Sequence, residues 1–222
     1  MRDFAPGVRI DWANRLIEVD ARVVLREGPL ELVACSPRTR EHESMLLVHA
    51  RPMHIFQAMG LVGFKPGSPV RYDEKLDRWY PPTGEPLDIR VRYRDDKGEH
   101  VVTVEQWLTG VKDDRPPDRI GWVFSGSRTD QEGRFTADGE GTVICVVDFE
   151  TALITVNALH SADNALLWLR ANTKAIPPVG TACTLLIRSR AKLDQPSTEA
   201  KKVDRKPADA VQTPRKPTDP GG

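Results

Sequence analysis

The apolar and polar positions alternate most clearly between Leu16 and Leu25, where Ile17, Val19, Ala21, Val23 and Leu25 interleave with Glu18, Asp20 and Arg22. A period of two sends one set of side chains into a core and the other into water, so this run is a strand with one wet face. Leu87, Ile89, Val91 and Tyr93 repeat the device against Asp88, Arg90, Arg92 and Arg94. Asp95-Asp96-Lys97-Gly98 then turns the chain and residues 99–105 return, which predicts a hairpin whose polar face is rich in arginine. Val8–Asp11 reads as a strand leading into a tight turn, Trp12-Ala13-Asn14-Arg15, with Asn14 suited to a left-handed backbone.

Other runs are apolar without alternating. Leu30–Cys35 reads as a strand, and Ser44–Val48, richly apolar, as a central one. A polar loop, Ser36 to Arg40, separates them, and the spacing predicts that they pair as a hairpin. Residues 142–147 are nearly all apolar and β-branched, the signature of a strand buried on both faces. Residues 121–127, 152–156 and 181–187 read as further strands. Helical spacing is clearest over 52–62: Ile55, Met59 and Val62 share a face, Pro52 suits the first turn, and Gly63 followed by Lys65-Pro66-Gly67 ends it. Ser161 to Asn164 predicts the cap of a second short helix running through Leu166, Leu167 and Leu169 to Asn172. Residues 71–86 read as irregular and 130–141 as a polar excursion. Strands, helix, strands, short helix and strand in that order predict an α+β, β-dominant fold of mostly antiparallel sheet.

Composition narrows the function classes. The 222 residues suit one domain, with 32 basic and 32 acidic side chains that cancel. A neutral balance argues against a nucleic-acid binder held by a basic face. No apolar run approaches the ~18 residues of a membrane span. Met1 to Gly7 lacks the apolar core of a signal peptide, so the chain as written is expected in the cytoplasm, or exported if the true start lies upstream. Beyond Ile187 the character changes: residues 189–222 carry eight Lys/Arg, five Asp/Glu and repeated prolines. Too little apolar area remains there to offset an ordering entropy of ~1–2 kcal/mol per residue. The expected organisation is a domain over 1–188 and a disordered tail over 189–222.

Chemistry concentrates between Gly28 and Ser44, which holds Glu31, Cys35, Glu41, His42 and Glu43. In a hairpin, Cys35 and His42 meet. Thiolate, imidazole and carboxylate suit zinc or iron, and Glu31, His49 or His54 is a candidate third ligand. The competing reading packs Cys35 as a small hydrophobe and hydrogen-bonds His42 to a glutamate. A nucleophilic Cys35 activated by His42 ranks last, because the neighbouring acids raise a thiol pKa. Trp79 and Tyr80, placed in a Pro/Gly loop, are a candidate stacking platform for a sugar or peptide; the competing and more frequent reading folds both rings back over the sheet. Asp130, Glu132, Asp138 and Glu140 offer oxygens to calcium but lack its loop pattern. Cys145 and Cys183 sit in apolar runs and read as structural. The three cysteines form no Cys-x-x-Cys cluster. No phosphate loop, Gly-x-Ser-x-Gly or His-Glu-x-x-His motif occurs.

Glu27-Gly28-Pro29-Leu30-Glu31, Cys35, Glu41-His42-Glu43-Ser44, Lys65-Pro66-Gly67, Trp122 to Ser127, Ala171-Asn172-Thr173 and Ile176 to Thr181 together resemble the YdjY domain family of bacterial proteins, from about Val8 to Ile187. The family is largely uncharacterised. Its members are often exported, and some are labelled ferredoxin-like for clustered cysteines. This chain has no such cluster, so no iron–sulfur cofactor is expected. The resemblance implies a domain identity and no reaction. The leading expectation is a non-enzymatic module binding an unidentified protein or small molecule, with Glu31, His42, Glu43, Trp79 and Tyr80 as ligand-binding residues. The alternative is a metal-binding protein or metalloenzyme using Cys35, His42 and Glu31 for a zinc or iron ion.

Overall fold

Alternation builds the centre of the molecule. In the computed structural model, which describes residues 1–190, β1 (Arg2–Ala5), β2 (Val8–Asp11) and β3 (Leu16–Val23) form an antiparallel meander. Val8, Ile10, Ile17, Val19, Ala21 and Val23 are buried on its inner face. At the turn before β3 the left-handed residue is Arg15, at φ 46°, not Asn14. Asn14 instead donates its side-chain amide to Asp11 at 2.8 Å.

The next two strands correct the expected hairpin. β4 (Leu32–Cys35) and β5 (Ser44–Val48) run parallel, with Leu32 beside Ser44 and Cys35 beside Leu47. Parallel neighbours usually need a connection of about a dozen residues or more. Residues 36–43 manage it by folding back tightly. Thr39 Oγ1 donates to Ser36 O at 2.7 Å, the Arg38 and Thr39 amides donate to the Glu41 carboxylate, and a 3-10 turn covers Glu41–Glu43. The cause is burial. All four residues of β4 are inaccessible, so β4 needs a strand on each side, and β5 must also reach β3, where Ala21 pairs with Val48.

α1 (Pro52–Leu61) forms as predicted and buries Ile55, Ala58 and Met59. Its first turn has no local side-chain cap. The Asp138 carboxylate supplies one from elsewhere, accepting from Met53 N at 2.8 Å and pairing with Arg51. Residues 71–86, expected to be irregular, are not. After β6 (Pro66–Ser68), β7 (Arg71–Asp73) and β8 (Arg78–Tyr80) make a small hairpin, and β9 (Thr83–Asp95) begins at once. Its Gly84, at φ 147°, approaches the Phe124 carbonyl so closely that a Cβ would lie 2.0 Å from that oxygen. β10 (Gly98–Thr103) completes the predicted hairpin with β9.

Beyond this come β11 (Leu108–Gly110), β12 (Trp122–Phe124), α2 (Thr136–Glu140), β13 (Thr142–Cys145), β14 (Thr155–Val156), β15 (Leu169–Ala171) and β16 (Ala182–Ser189). The short second helix is therefore α2, inside the stretch read as a polar excursion. Where the second helix was expected, Asp163 caps only a 3-10 turn at Asn164–Leu166, and the chain then extends as β15 against β11. Leu169 and Ala171 bury on the same side with period two, which a helix cannot do.

The main sheet runs β13-β4-β5-β3-β16-β9-β12-β14, mostly antiparallel, with β16 inserted between β3 and β9. The fold is α+β and β-dominant. The disordered tail expected over 189–222 lies, from residue 191 onward, outside the described residues; Ser189 itself belongs to β16.

Candidate functional site

The corner around β4 and β5 gathers some of the expected residues and separates others. In the parallel register the 36–43 connection brings Glu43 beside Glu31, whose amide donates to Glu43 O at 3.2 Å. Cys35, at the opposite end of β4, is fully buried among Leu32, Cys145 and Ala152. The His42 side chain is 74% exposed, with Nε2 3.7 Å from the Glu43 carboxylate. Cys35 and His42 therefore share no site, which corrects the meeting inferred from a hairpin. Burial pushes the Cys35 thiol above its ordinary value, with contacts from Ser44 and the Arg40 backbone only partly opposing it. That is the reverse of an activated nucleophile. Cys145 is driven well above the usual thiol range, and burial takes Cys183 to about 12. Among the described residues no group of three His, Cys, Asp or Glu is placed to hold a metal ion.

Glu31 and Glu43 do come together, with a cation that the residue pattern did not single out. Arg40 Nη1 lies 2.8 Å from Glu31 and 3.8 Å from Glu43, and its guanidinium sits 4.6 Å from the Phe149 ring centroid. Burial raises Glu31 to about 7; a hydrogen bond with Glu43 and that group's charge add to the effect, and Arg40 counters it. The corner is closed: acids, arginine and aromatic ring satisfy one another.

The second expected place is open. Trp79 stands on β8, 48% exposed, with the Tyr72 ring 5.0 Å away. Tyr80 points elsewhere, between the guanidinium groups of Arg71 at 4.1 Å and Arg78 at 5.2 Å. Beside Trp79 lies a hollow of about 420 Å³, lined also by Val70, Asp148, Glu150, Leu159 and Ser161. Glu150 is engaged by Arg128 at 2.6 Å. Asp148 is not so engaged. Its carboxylate accepts the His160 amide at 2.8 Å, and no cation pairs with it among the described residues. Burial lifts it to about 6, with the His160 hydrogen bond pulling weakly the other way.

The wall behind Asp148 is tied together by hydrogen bonds and a ring stack. Asp148 N donates to His160 O at 2.8 Å, the His160 ring stacks on Trp168 at 4.0 Å, and Trp168 Nε1 donates to Val146 O at 2.7 Å. Val146 N in turn donates to Glu31 O at 2.8 Å, so one short segment joins the closed corner to the open hollow. The sequence reading missed Asp148 and Arg40. The one signal available for Asp148 was its place as the first acid after the apolar run 142–147, where an acid ordinarily means a turn.

Three of the four acids considered for calcium are taken by arginines: Arg134 binds Asp130 and Glu132, and Arg51 binds Asp138. Among the described residues no helix is long and apolar enough to cross a membrane. No curated protein and no solved structure matches the chain. A family model, the YdjY domain, matches residues 8–188, a span reaching from β2 to β16 and enclosing both the corner and the hollow. The chain belongs to the YdjY domain family.

Proposed function

We propose that the chain is a non-enzymatic binding module and that the hollow beside Trp79 receives a cationic side chain presented by a peptide segment of a partner protein. The observation that carries this reading is Asp148, a half-buried carboxyl without a counter-ion, facing a hollow with an exposed tryptophan. A carboxyl desolvated without a partner is costly, and a cation entering from a ligand relieves that cost. An aromatic face near the same cation contributes about 0.5–2 kcal/mol, and a hydrogen bond to a charged group about 1.5–3 kcal/mol. Together these reach only about the 4 kcal/mol of a millimolar complex. A lone amine therefore binds weakly, and the rest of a peptide must supply further contacts.

Because burial holds Asp148 at about 6, its ionised fraction is small at pH 5 and nearly complete at pH 7.5. Binding should strengthen roughly tenfold across that interval, since apparent affinity scales with the competent fraction. The test is a titration with an N-terminally acetylated, C-terminally amidated tripeptide carrying an unmodified central lysine, followed by two-dimensional NMR, beside a norleucine tripeptide of equal length. The lysine peptide should shift Trp79 and Asp148 resonances; Asp148→Asn should weaken it at least about tenfold and Trp79→Ala at least about twofold. Equal binding of the norleucine peptide, or unchanged affinity in Asp148→Asn, would refute the reading.

A further inference from the structure

The outer face of the central sheet carries a second, oppositely charged site. Because β16 lies between β3 and β9, each of its outward residues is flanked by one residue from either neighbour. Thr184 stands between Asp20 and Arg92, and Leu186 between Glu18 and Arg90. Both rows set an acid against a base. Arg92 Nη2 reaches Glu18 at 2.9 Å, while Arg9 pairs with Glu18 at 3.2 Å and Asp20 at 2.6 Å; Arg90 pairs with Asp88 at 2.9 Å.

The row at Ala182 breaks the pattern. Arg22 pairs with Ala182 on one side, and one residue beyond the Cys183–Tyr93 pair Arg94 flanks it on the other. Two arginines thus face each other over a methyl group, their Cα atoms about 10 Å apart at the usual strand spacing. Neither side chain makes a hydrogen bond or ion pair among the described residues. Like charges across a sheet repel, and no acid is placed between them. Two acids also line the cleft: Asp20 is held by Arg9 at 2.6 Å, and Glu99, opposite Arg94 on β10, offsets part of the arginines' charge without forming an ion pair among the described residues, so the two arginines still outnumber it. Over this row opens a cleft of about 580 Å³ that His49 and Thr184 also line.

We infer that this cleft binds the phosphoryl group of a small phosphomonoester. Two guanidinium forks offer parallel N–H donors to the oxygens of a tetrahedral dianion, whose charge removes their mutual repulsion. The Thr184 hydroxyl in the adjoining row is a further donor. The cleft far exceeds a bare phosphate, so the rest of the ligand lies over Ala182 toward His49. The site shares no lining residue with the hollow at Trp79, so either can fail without the other.

The test uses inorganic phosphate and glucose 6-phosphate, titrated at pH 7.5 into the full chain and followed through the Arg side-chain Nε–H signals, with glucose and with chloride at matched ionic strength as controls. Glucose 6-phosphate should saturate and shift the Arg22 and Arg94 signals. Arg22→Gln or Arg94→Gln should lower its affinity at least tenfold, and Arg94→Lys, keeping charge but losing the fork, should fall between. Arg90→Gln, on the same face but already paired, should bind as the natural chain does. The inference fails if chloride reproduces the shifts, if neither phosphate compound saturates, or if Arg90→Gln weakens binding as much as Arg22→Gln. Both key arginines are exposed, and unchanged thermal midpoints would confirm that the variants fold.

Discussion

The corner at Glu31 and the hollow at Asp148 are joined by the short segment from Val146 to Asp148, and both hold a carboxyl raised by burial. They differ in what meets the charge. At the corner, Arg40 closes on Glu31 at 2.8 Å and lies over Phe149, so the acids are answered from within the protein. In the hollow, Asp148 meets only a backbone amide, and the space in front of it is open. A cluster rich in chemical groups can therefore be structural, and a solitary acid can be the available one. What separates them is a partner cation, which residue type alone does not reveal.

The strongest way to break this comparison is to remove the cation. Arg40→Ala should leave Glu31 and Glu43 facing each other unneutralised. Breaking a fully buried pair costs about 3–5 kcal/mol, and because the Arg40 side chain is 32% exposed the loss expected at pH 7.5 is nearer about 2 kcal/mol. Urea unfolding measures it, and an unchanged midpoint would mean that the corner is not held by its ion pair. The matching change in the hollow should act with the opposite sign. Asp148→Asn keeps an oxygen for the His160 amide and removes an unanswered charge, so the midpoint at pH 7.5 should rise or hold, by less than Arg40→Ala lowers it. A clear drop would show that Asp148 already has a partner.

Titration sharpens the same contrast. Both carboxyls have folded values above their unfolded ones, so the native state retains protons that the unfolded chain has released, and stability falls as pH rises. For Glu31 the stabilisation is complete below about 4.5 and gone above about 7; for Asp148 the window runs from 3.8 to about 6. These two groups should pull unfolding midpoints down between pH 4 and 8, against the rise contributed by His160, whose imidazole burial holds below its ordinary value; Glu31→Gln should remove the upper part of that pull and Asp148→Asn the lower. Parallel profiles in all three proteins would refute both assignments. The smallest effect is expected at His42, whose side chain is largely in water. His42→Ala should move stability by no more than ~0.5 kcal/mol. Loss of a stoichiometric metal on that substitution, read by elemental analysis, would overturn the account of the corner.

Much of the fold was legible because its signals are local. Alternation at 16–25 and 87–95 is enough to assign strands and their wet faces, and Pro52, the Ile55–Met59 spacing and Gly63 bound α1. The expected 161–172 helix failed because Leu166, Leu167 and Leu169 fit a helical face no better than Leu169 and Ala171 fit a strand. The choice fell to β11, which offers β15 an edge. Trp79 and Tyr80 were legible only as a pair of loop aromatics; the exposure of Trp79 and the arginines that flank Tyr80 are set by the β7–β8 hairpin.

By itself, then, the sequence determined which segments are strands, which faces are apolar, and that the residues around Cys35 and Trp79 merit attention. Those properties depend on side chains a few positions apart. Only the tertiary structure decided that β4 and β5 run parallel, so that Cys35 and His42 part company, and that β16 enters between β3 and β9, so that Arg22 and Arg94 confront each other over Ala182. Strand neighbours are chosen by the burial of whole apolar faces across the molecule. A charge gains or loses its partner as a consequence of that choice, and no short-range pattern carries it.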